Sequence, residues 1–241
     1  MPKSKKDTYK LYIAQIEALS KVANLINSGM YLDELLRLIV NVTAQVMNSK
    51  ISSLLLLDPE KKELVVKATQ SISNDYNKKP NIKLGTGIAG MVAQLNKPIC
   101  VLDIREDSRY ISRDIAKKEG LVSLACVPLA IKGRVIGVLN CYTSRKHEFA
   151  KEELAVLTAL ANQAAVAIEN AELDLRARSA EEALTTRKLI ERAKEILATE
   201  ANILPSEAYR LIQKQSMDSR KTMREIAEAI ILTKDIKTRP K

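Results

Sequence analysis

Val127-Pro128-Leu129-Ala130-Ile131-Lys132-Gly133-Arg134-Val135-Ile136-Gly137-Val138-Leu139 is the stretch on which the fold of this 241-residue chain turns. Two apolar runs flank Lys132-Gly133, a pair suited to a two-residue hairpin turn. The segments from Leu121 to Ile131 and from Arg134 to Tyr142 are therefore expected to pair as antiparallel strands. Counting outward from the turn sets Cys126 opposite Leu139 and Cys141 opposite Leu124. That register places Leu124, Cys126, Leu139 and Cys141 on one face, and Val127, Leu129, Ile131, Ile136 and Val138 on the other.

Upstream, Ile51 to Leu57, ending at Asp58-Pro59, and Glu63 to Thr69 read as two more antiparallel strands joined by a tight turn, with Pro98 to Leu102 as a further strand. Between them, Leu84-Gly85-Thr86-Gly87-Ile88-Ala89-Gly90 is a glycine-punctuated loop feeding a short helix. It lacks the Lys-Ser/Thr pair and the parallel βαβ setting of a phosphate loop, so tight turning and close backbone packing account for its glycines. Before the strands, Tyr9, Tyr12, Ile16, Leu19, Ala23, Ile26 and Met30 mark one stripe of an N-terminal helix over residues 1–30, interrupted at Gly29. Leu32, Leu35, Leu36, Ile39, Val40, Val46 and Met47 give a second helix a broad apolar face.

Downstream of Phe149 one long helical pattern begins. Leu154, Leu157, Ala161, Ala164, Ile168, Ala171 and Leu175 recur at steps of three and four, which reads as a coiled-coil seam pairing two chains over residues 151–180. The other reading of its early turns is packing against the chain's own sheet. Arg178 and Glu182 end the rhythm. Three further helical segments follow. Ala183, Leu189, Ala193, Ile196 and Leu197 form the buried arc of the first, with Arg187 and Lys194 together on its edge and Glu191 between them. Asn202 suits the left-handed residue after that helix, and Pro205 the first turn of the next, which buries Ala208, Leu211 and Ile212. Thr222 and Glu225 stand at capping-box spacing ahead of Met223, Ile226, Ala227, Ile230 and Ile231. Ser219, Arg220, Lys221 and Arg224 crowd that helix start, where cations and free N–H groups favour an anion.

The chain carries a net charge of +10, which favours an anionic partner. Hydrophobic residues make up 46% and aromatic ones only 3%, which fits compact pieces packed with leucine, isoleucine, valine and alanine. No apolar run approaches the roughly eighteen residues of a membrane span, and Met1-Pro2-Lys3-Ser4-Lys5-Lys6 leads into no signal-peptide core, so a cytoplasmic location is expected. Cys100, Cys126 and Cys141 are odd in number and lack paired spacing, and are expected to be reduced core thiols. His147 has no serine or cysteine motif beside it, and the cysteines and His147 lack zinc spacing. Neither catalytic nor metal-binding residues are expected.

The Val127-Pro128-Leu129 strand, the Lys132-Gly133 turn, Val135-Ile136-Gly137-Val138-Leu139, and Phe149 ahead of Glu152-Glu153-Leu154 resemble a GAF domain, a cytoplasmic α/β sensor module, over roughly Tyr31 to Asn170. The resemblance implies an α+β fold in which one sheet face packs on helices while the other can line a small-molecule pocket. No cyclic-nucleotide signature and no cysteine-histidine pair for a tetrapyrrole is recognisable, so the ligand or cofactor stays unknown. Leu184, Arg187, Ile190, Ala193, Lys194, Leu197, Glu207, Ala208, Tyr209, Leu211, Met217 and Ala227 resemble an ANTAR domain, a three-helix module that binds hairpin loops in nascent RNA and prevents termination. Glu195 and Leu204 depart from that pattern, at places where glycine and a capping serine are common.

Together these readings give an N-terminal helix (1–30), a GAF-like domain (31–150), a coiled-coil helix (151–180), an ANTAR-like domain (181–233) and a basic tail (234–241). The expected protein is a homodimeric regulator, not an enzyme, with Arg187, Lys194, Ser219, Arg220, Lys221 and Arg224 on paired RNA hairpins. Two other readings are a signalling module whose tail binds protein, and a helical DNA binder.

Overall fold

The computed structural model describes residues 32–71, 73 and 80–237; the helix expected over residues 1–30 and the end of the basic tail lie outside them. The chain forms two compact units, Met1–Glu172 and Leu173–Lys241. In the first, helix α1 (Leu32–Met47) precedes strands β1 (Ile51–Asp58), β2 (Glu63–Thr69) and β3 (Ile82–Lys83). Helix α2 (Gly87–Leu95), β4 (Ile99–Val101), α3 (Arg113–Glu119), β5 (Leu124–Ile131) and β6 (Arg134–Tyr142) follow, and α4 (Lys151–Ala201) leads into the second unit. The strands make one six-stranded sheet in the order β3-β2-β1-β6-β5-β4, with every neighbouring pair antiparallel.

Local chemistry explains the turns. Asp58 Oδ1 accepts from the N–H groups of Glu60 and Lys61, both at 3.0 Å, which folds β1 back into β2. Lys132 and Gly133 have φ of 49° and 83°, the doubly left-handed turn that matches strand twist. At Gly90 an added Cβ would stand 2.4 Å from the Lys83 carbonyl, so the glycine is there for backbone contact and not for phosphate.

The hairpin register departs from the count made along the sequence. A bulge opposite the Leu129–Ala130 step, where Ile136 of β6 has no partner, shifts the pairing by one residue, so Cys126 faces Asn140 and Cys141 faces Ala125. Since side chains alternate, one inserted residue exchanges the faces beyond it. Cys126 joins Leu124, Val138 and Tyr142 beneath α2, whereas Cys141 joins Val127, Leu129 and Leu139 beneath α1 and α4. The two thiols are thus on opposite faces, not diagonal neighbours on one. Cys100 differs again: it is exposed, while Cys126 and Cys141 are buried.

The seam read from Leu154 to Leu175 is also corrected. Leu157, Ala161, Ala164 and Ile168 are at most 1% exposed, packed with α1 against the sheet of their own chain, with Leu154 and Ala171 at the margin of that core. Leu175 is 63% exposed and belongs to no core. The alanines let the helix lie close on the strands, and each fully buried leucine or isoleucine gains about 1.5–3 kcal/mol within one chain, with no association cost. In part α4 also meets the length and apolarity of a membrane span, contrary to the expectation from apolar runs, and 39% of that stretch is buried within the chain.

The second unit holds the end of α4, α5 (Pro205–Ser219) and α6 (Met223–Lys237) around Ala193, Ile212, Ile226, Ala227 and Ile231. Ala208 is buried, as its periodicity predicts, but Leu211 is 50% exposed and Ala183 lies outside the core. Asn202 is left-handed, with φ of 49°, and Pro205 opens α5. Leu204 offers no side-chain acceptor there; only the reciprocal half of the cap forms, its N–H donating to Glu207 Oε2 at 3.2 Å.

Candidate nucleic-acid interface

The α5–α6 connection is held at every residue. Arg220 is left-handed, with φ of 55°, and its N–H donates to the Met217 carbonyl, while the Lys221 N–H donates to that of Ser216. The Ser216 hydroxyl donates to the Lys221 carbonyl at 2.6 Å. Thr222 N–H and hydroxyl both donate to Glu225 Oε2, at 2.7 and 2.8 Å, and Glu225 N–H returns a bond to Thr222 Oγ1. The capping box expected from Thr222 and Glu225 therefore forms. It also fills part of the site expected for an anion: the Thr222 N–H holds the Glu225 carboxyl below its usual pKa, so the helix start already carries a negative charge of its own.

Helix α6 runs beside α4 in the same direction. Arg224, at its start, feels Glu182, and near its end Asp235 accepts from Arg192 at 3.2 Å. Arg187 lies between Glu182 and Arg192 on α4, so it belongs to the end of the bundle where α5 hands over to α6. Lys194 is about 10 Å further along the same edge, at about 1.5 Å per residue.

These cations are not equivalent. Arg187, Arg220 and Lys221 are exposed, and among the described residues no acidic side chain pairs with them. Lys194 is half-buried and paired with Glu191. Arg224 donates through Nε to Glu228 at 2.8 Å, which with Glu182 raises its pKa. The Ser219 hydroxyl donates back to the Gln215 carbonyl at 2.6 Å, which spends its proton. The site residues named from the sequence thus divide into unpaired cations at one corner and groups already engaged. Tyr209, named from the sequence as part of the ANTAR pattern but not as an RNA contact, is 41% exposed on α5 next to the buried Ala208; an exposed ring can stack on a base. The helical period that buries Ala208 would have placed Tyr209 outward.

On the sheet face beneath α2 a cavity of about 30 Å³ is lined by Leu55, Ile88, Tyr110, Leu124, Asn140 and Tyr142. It has room for about one or two waters. Asn140 donates to Ser53 Oγ at 3.3 Å, while its Oδ1 is buried with no hydrogen-bond partner. Elsewhere His147 contacts Glu153 at 3.0 Å and meets Phe149 edge-on at 4.8 Å between ring centres. No cluster of metal-ligating side chains occurs among the described residues. Burial pushes the Cys141 thiol up to about 12 and raises Cys126 further, so neither is a thiolate near neutral pH.

An antiparallel sheet covered by helices on one face, with a small polar-tipped cavity on the other, is matched from residues 30 to 169 by the GAF domain family. The chain belongs to that family. Residues 178–231 match the ANTAR domain, so a GAF domain is followed by a C-terminal ANTAR domain. The GAF domain of a phosphoenolpyruvate-protein phosphotransferase from Coxiella burnetii superposes with a TM-score of 0.60 at 26% identity, covering 70% of this chain and 98% of that one. Free methionine-R-sulfoxide reductase from Neisseria meningitidis shares the fold at 20% identity, with a TM-score of 0.59, covering 71% of this chain and 96% of that one.

Among curated proteins, the Methyl sulfide methyltransferase-associated sensor of Methanosarcina acetivorans is 30% identical over 69% of this chain. The transcriptional regulatory protein PdtaR of Mycobacterium tuberculosis is 44% identical over 22% of it. The matches span 17% of the first relative's length and 25% of the second's.

Proposed function

We propose that the chain is a cytoplasmic, homodimeric transcription antiterminator, in which a GAF input domain controls an ANTAR domain that holds paired RNA hairpin loops. It acts by binding and catalyses no reaction. The observation that carries this reading is the placement of unpaired Arg187, Arg220 and Lys221 at one end of a three-helix bundle matched to the ANTAR domain. The input acts on the GAF domain as a small molecule, for which the Asn140 cavity, sized for one or two waters, would have to widen; the unpartnered Oδ1 there asks for a hydrogen-bond donor.

Gel shifts against one RNA hairpin, two linked hairpins and duplex DNA test it. Tightest binding to linked hairpins is expected. Equal binding to duplex DNA would make the bundle a helical DNA binder, and no binding to either would leave a module acting through protein contacts.

A further inference from the structure

Where α1 ends and α4 begins, an open groove of about 740 Å³ runs past the end of the sheet, on the side of α1 and α4 and away from the Asn140 cavity. The Asn140 cavity, at about 30 Å³, holds a water or two, whereas the groove has the volume of a small-molecule site, about 300–1,000 Å³. Val46 and Met47 of α1 and Val156 of α4 give it a half-buried apolar lining. Lys50, Arg145, His147 and Glu153 supply its charged and titratable groups.

Hydrogen bonds fix the backbone of this wall and leave its cations to the groove. The Lys50 N–H donates to the Tyr142 carbonyl at 2.8 Å, so the chain entering β1 runs beside the chain leaving β6. The Thr143 hydroxyl donates to the Arg145 carbonyl at 2.7 Å, and the His147 N–H donates to Oγ of the buried Ser123 at 2.8 Å. Lys50 Nζ donates to the carbonyls of Glu119 and Gly120, which place the ammonium without neutralising it. Arg145 is exposed, and among the described residues no acidic side chain pairs with it. The neighbouring Lys146 is turned to Asp103 and Glu106 instead. Glu153 is the carboxylate of the lining, and it is engaged: it accepts the Ala150 N–H at 2.9 Å, which caps α4, and meets His147 Nε2 at 3.0 Å.

We propose that this groove binds a small phosphate monoester, its head held by Arg145 and Lys50 and its organic body lying on Val46, Met47 and Val156. Two cations without a carboxylate of their own call for a head whose charge is close to two. A phosphate monoester carries about −1.5 to −2 near neutral pH, whereas a carboxylate carries one charge. The arginine fork takes two phosphate oxygens and the lysine ammonium a third, each as a charge-assisted hydrogen bond. The bound molecule lies against His147 and Glu153, the pair that starts α4. It therefore bears on the helix that leads into the second unit by a route separate from the Asn140 cavity.

His147 is the single histidine of the chain, so its ring protons report on the groove without overlap in a proton NMR spectrum. The test titrates the full chain with phenyl phosphate, benzoate and benzyl alcohol at constant pH and ionic strength. Phenyl phosphate should shift the His147 signals to saturation with a Kd below about 1 mM. Benzoate should bind about tenfold more weakly, and benzyl alcohol should give no saturable shift. Arg145→Gln removes an exposed side chain that holds nothing in the fold, and should weaken phenyl phosphate about tenfold. Lys83→Gln, on β3 beside Glu63 at the Asp58 end of the sheet, removes the same charge far from the groove and should change the affinity by less than about twofold. No saturable shift with phenyl phosphate, benzyl alcohol binding as tightly, or equal losses in the two variants would overturn the site, and benzoate binding as tightly would overturn its assignment to a phosphate. No RNA enters this measurement, so its failure leaves the antiterminator reading standing, and a chain that binds no RNA leaves the groove standing.

Discussion

Removing charge at Arg187 and Lys221 should change how RNA binding responds to salt, and not merely how tight it is. Each phosphate neutralised on a single-stranded loop adds about 0.7 to the slope of log affinity against log salt. Arg187, Arg220 and Lys221, with no acidic partner to release, give a slope near 2.1, so a fourfold rise in salt should weaken binding roughly twentyfold. Arg187→Gln with Lys221→Gln leaves one such contact and a slope near 0.7, and the same salt step then costs less than about threefold.

The paired cations make the internal control. Lys194 must leave Glu191, and Arg224 must leave Glu228, before either meets a phosphate. Each exposed pair is worth about 0.2–1 kcal/mol, which offsets much of what a phosphate contact would return. Lys194→Gln with Arg224→Gln is therefore expected to keep the slope within about 0.5 of the parent. The assay is fluorescence anisotropy with a single-hairpin RNA across a salt series, on variants with unchanged circular dichroism. A larger loss of slope in the paired-cation variant than in the Arg187/Lys221 variant would refute the ranking by ion pairing.

Gly90→Ala forces a Cβ against the Lys83 carbonyl and should cost about 1–3 kcal/mol in thermal denaturation; an unchanged melting temperature would show that the α2 loop yields freely. A thiol reagent should label Cys100 in the native protein and reach Cys126 and Cys141 only on unfolding, and a Cys126→Ala/Cys141→Ala chain should fold and keep its response to the input. The Asp103 carboxyl is held below its usual pKa by Arg105, and Asp107 likewise by Arg109. Their folded pKa lies below the unfolded value, so the stability they add is complete above about pH 3.9 and is lost as pH falls below it. Asp103→Asn should flatten that acid limb of a melting curve measured against pH. A one-residue insertion after Ala171 rotates everything beyond it by about 100°, whereas seven residues nearly restore the face. RNA regulation should be lost in the first and largely kept in the second, and equal regulation in both would make α4 a passive tether.

What the sequence disclosed depended on whether a feature is local. Lys132-Gly133, Asp58-Pro59 and the Thr222/Glu225 box are set by backbone conformations within a few residues, and each appears where its residue types require. The bulge at Ile136 leaves no such mark: it stands in the apolar run Val135-Ile136-Gly137-Val138, and only pairing across the strands decides which residue is extra. The faces of Cys126 and Cys141 were illegible for that reason. At the α6 start the sequence shows cations and a helix N-terminus, but not that Glu225 would fill it, since one capping box serves a helix equally well whether or not an anion is wanted.

Periodicity on α4 failed in a more instructive way. A repeat of three and four identifies a face that wants covering but does not say what covers it, and this helix has two such faces about 180° apart. The denser one, with Leu157 and Ile168 among alanines, goes to the sheet, and Leu160 beside it to Val42 of α1, because partners within the same chain need no second molecule. The sparser one keeps Asn170, Ala177 and Ala180 among its few large side chains. The period alone therefore could not separate packing within the chain from pairing between chains, and the burial of Leu157, Ala161, Ala164 and Ile168 does.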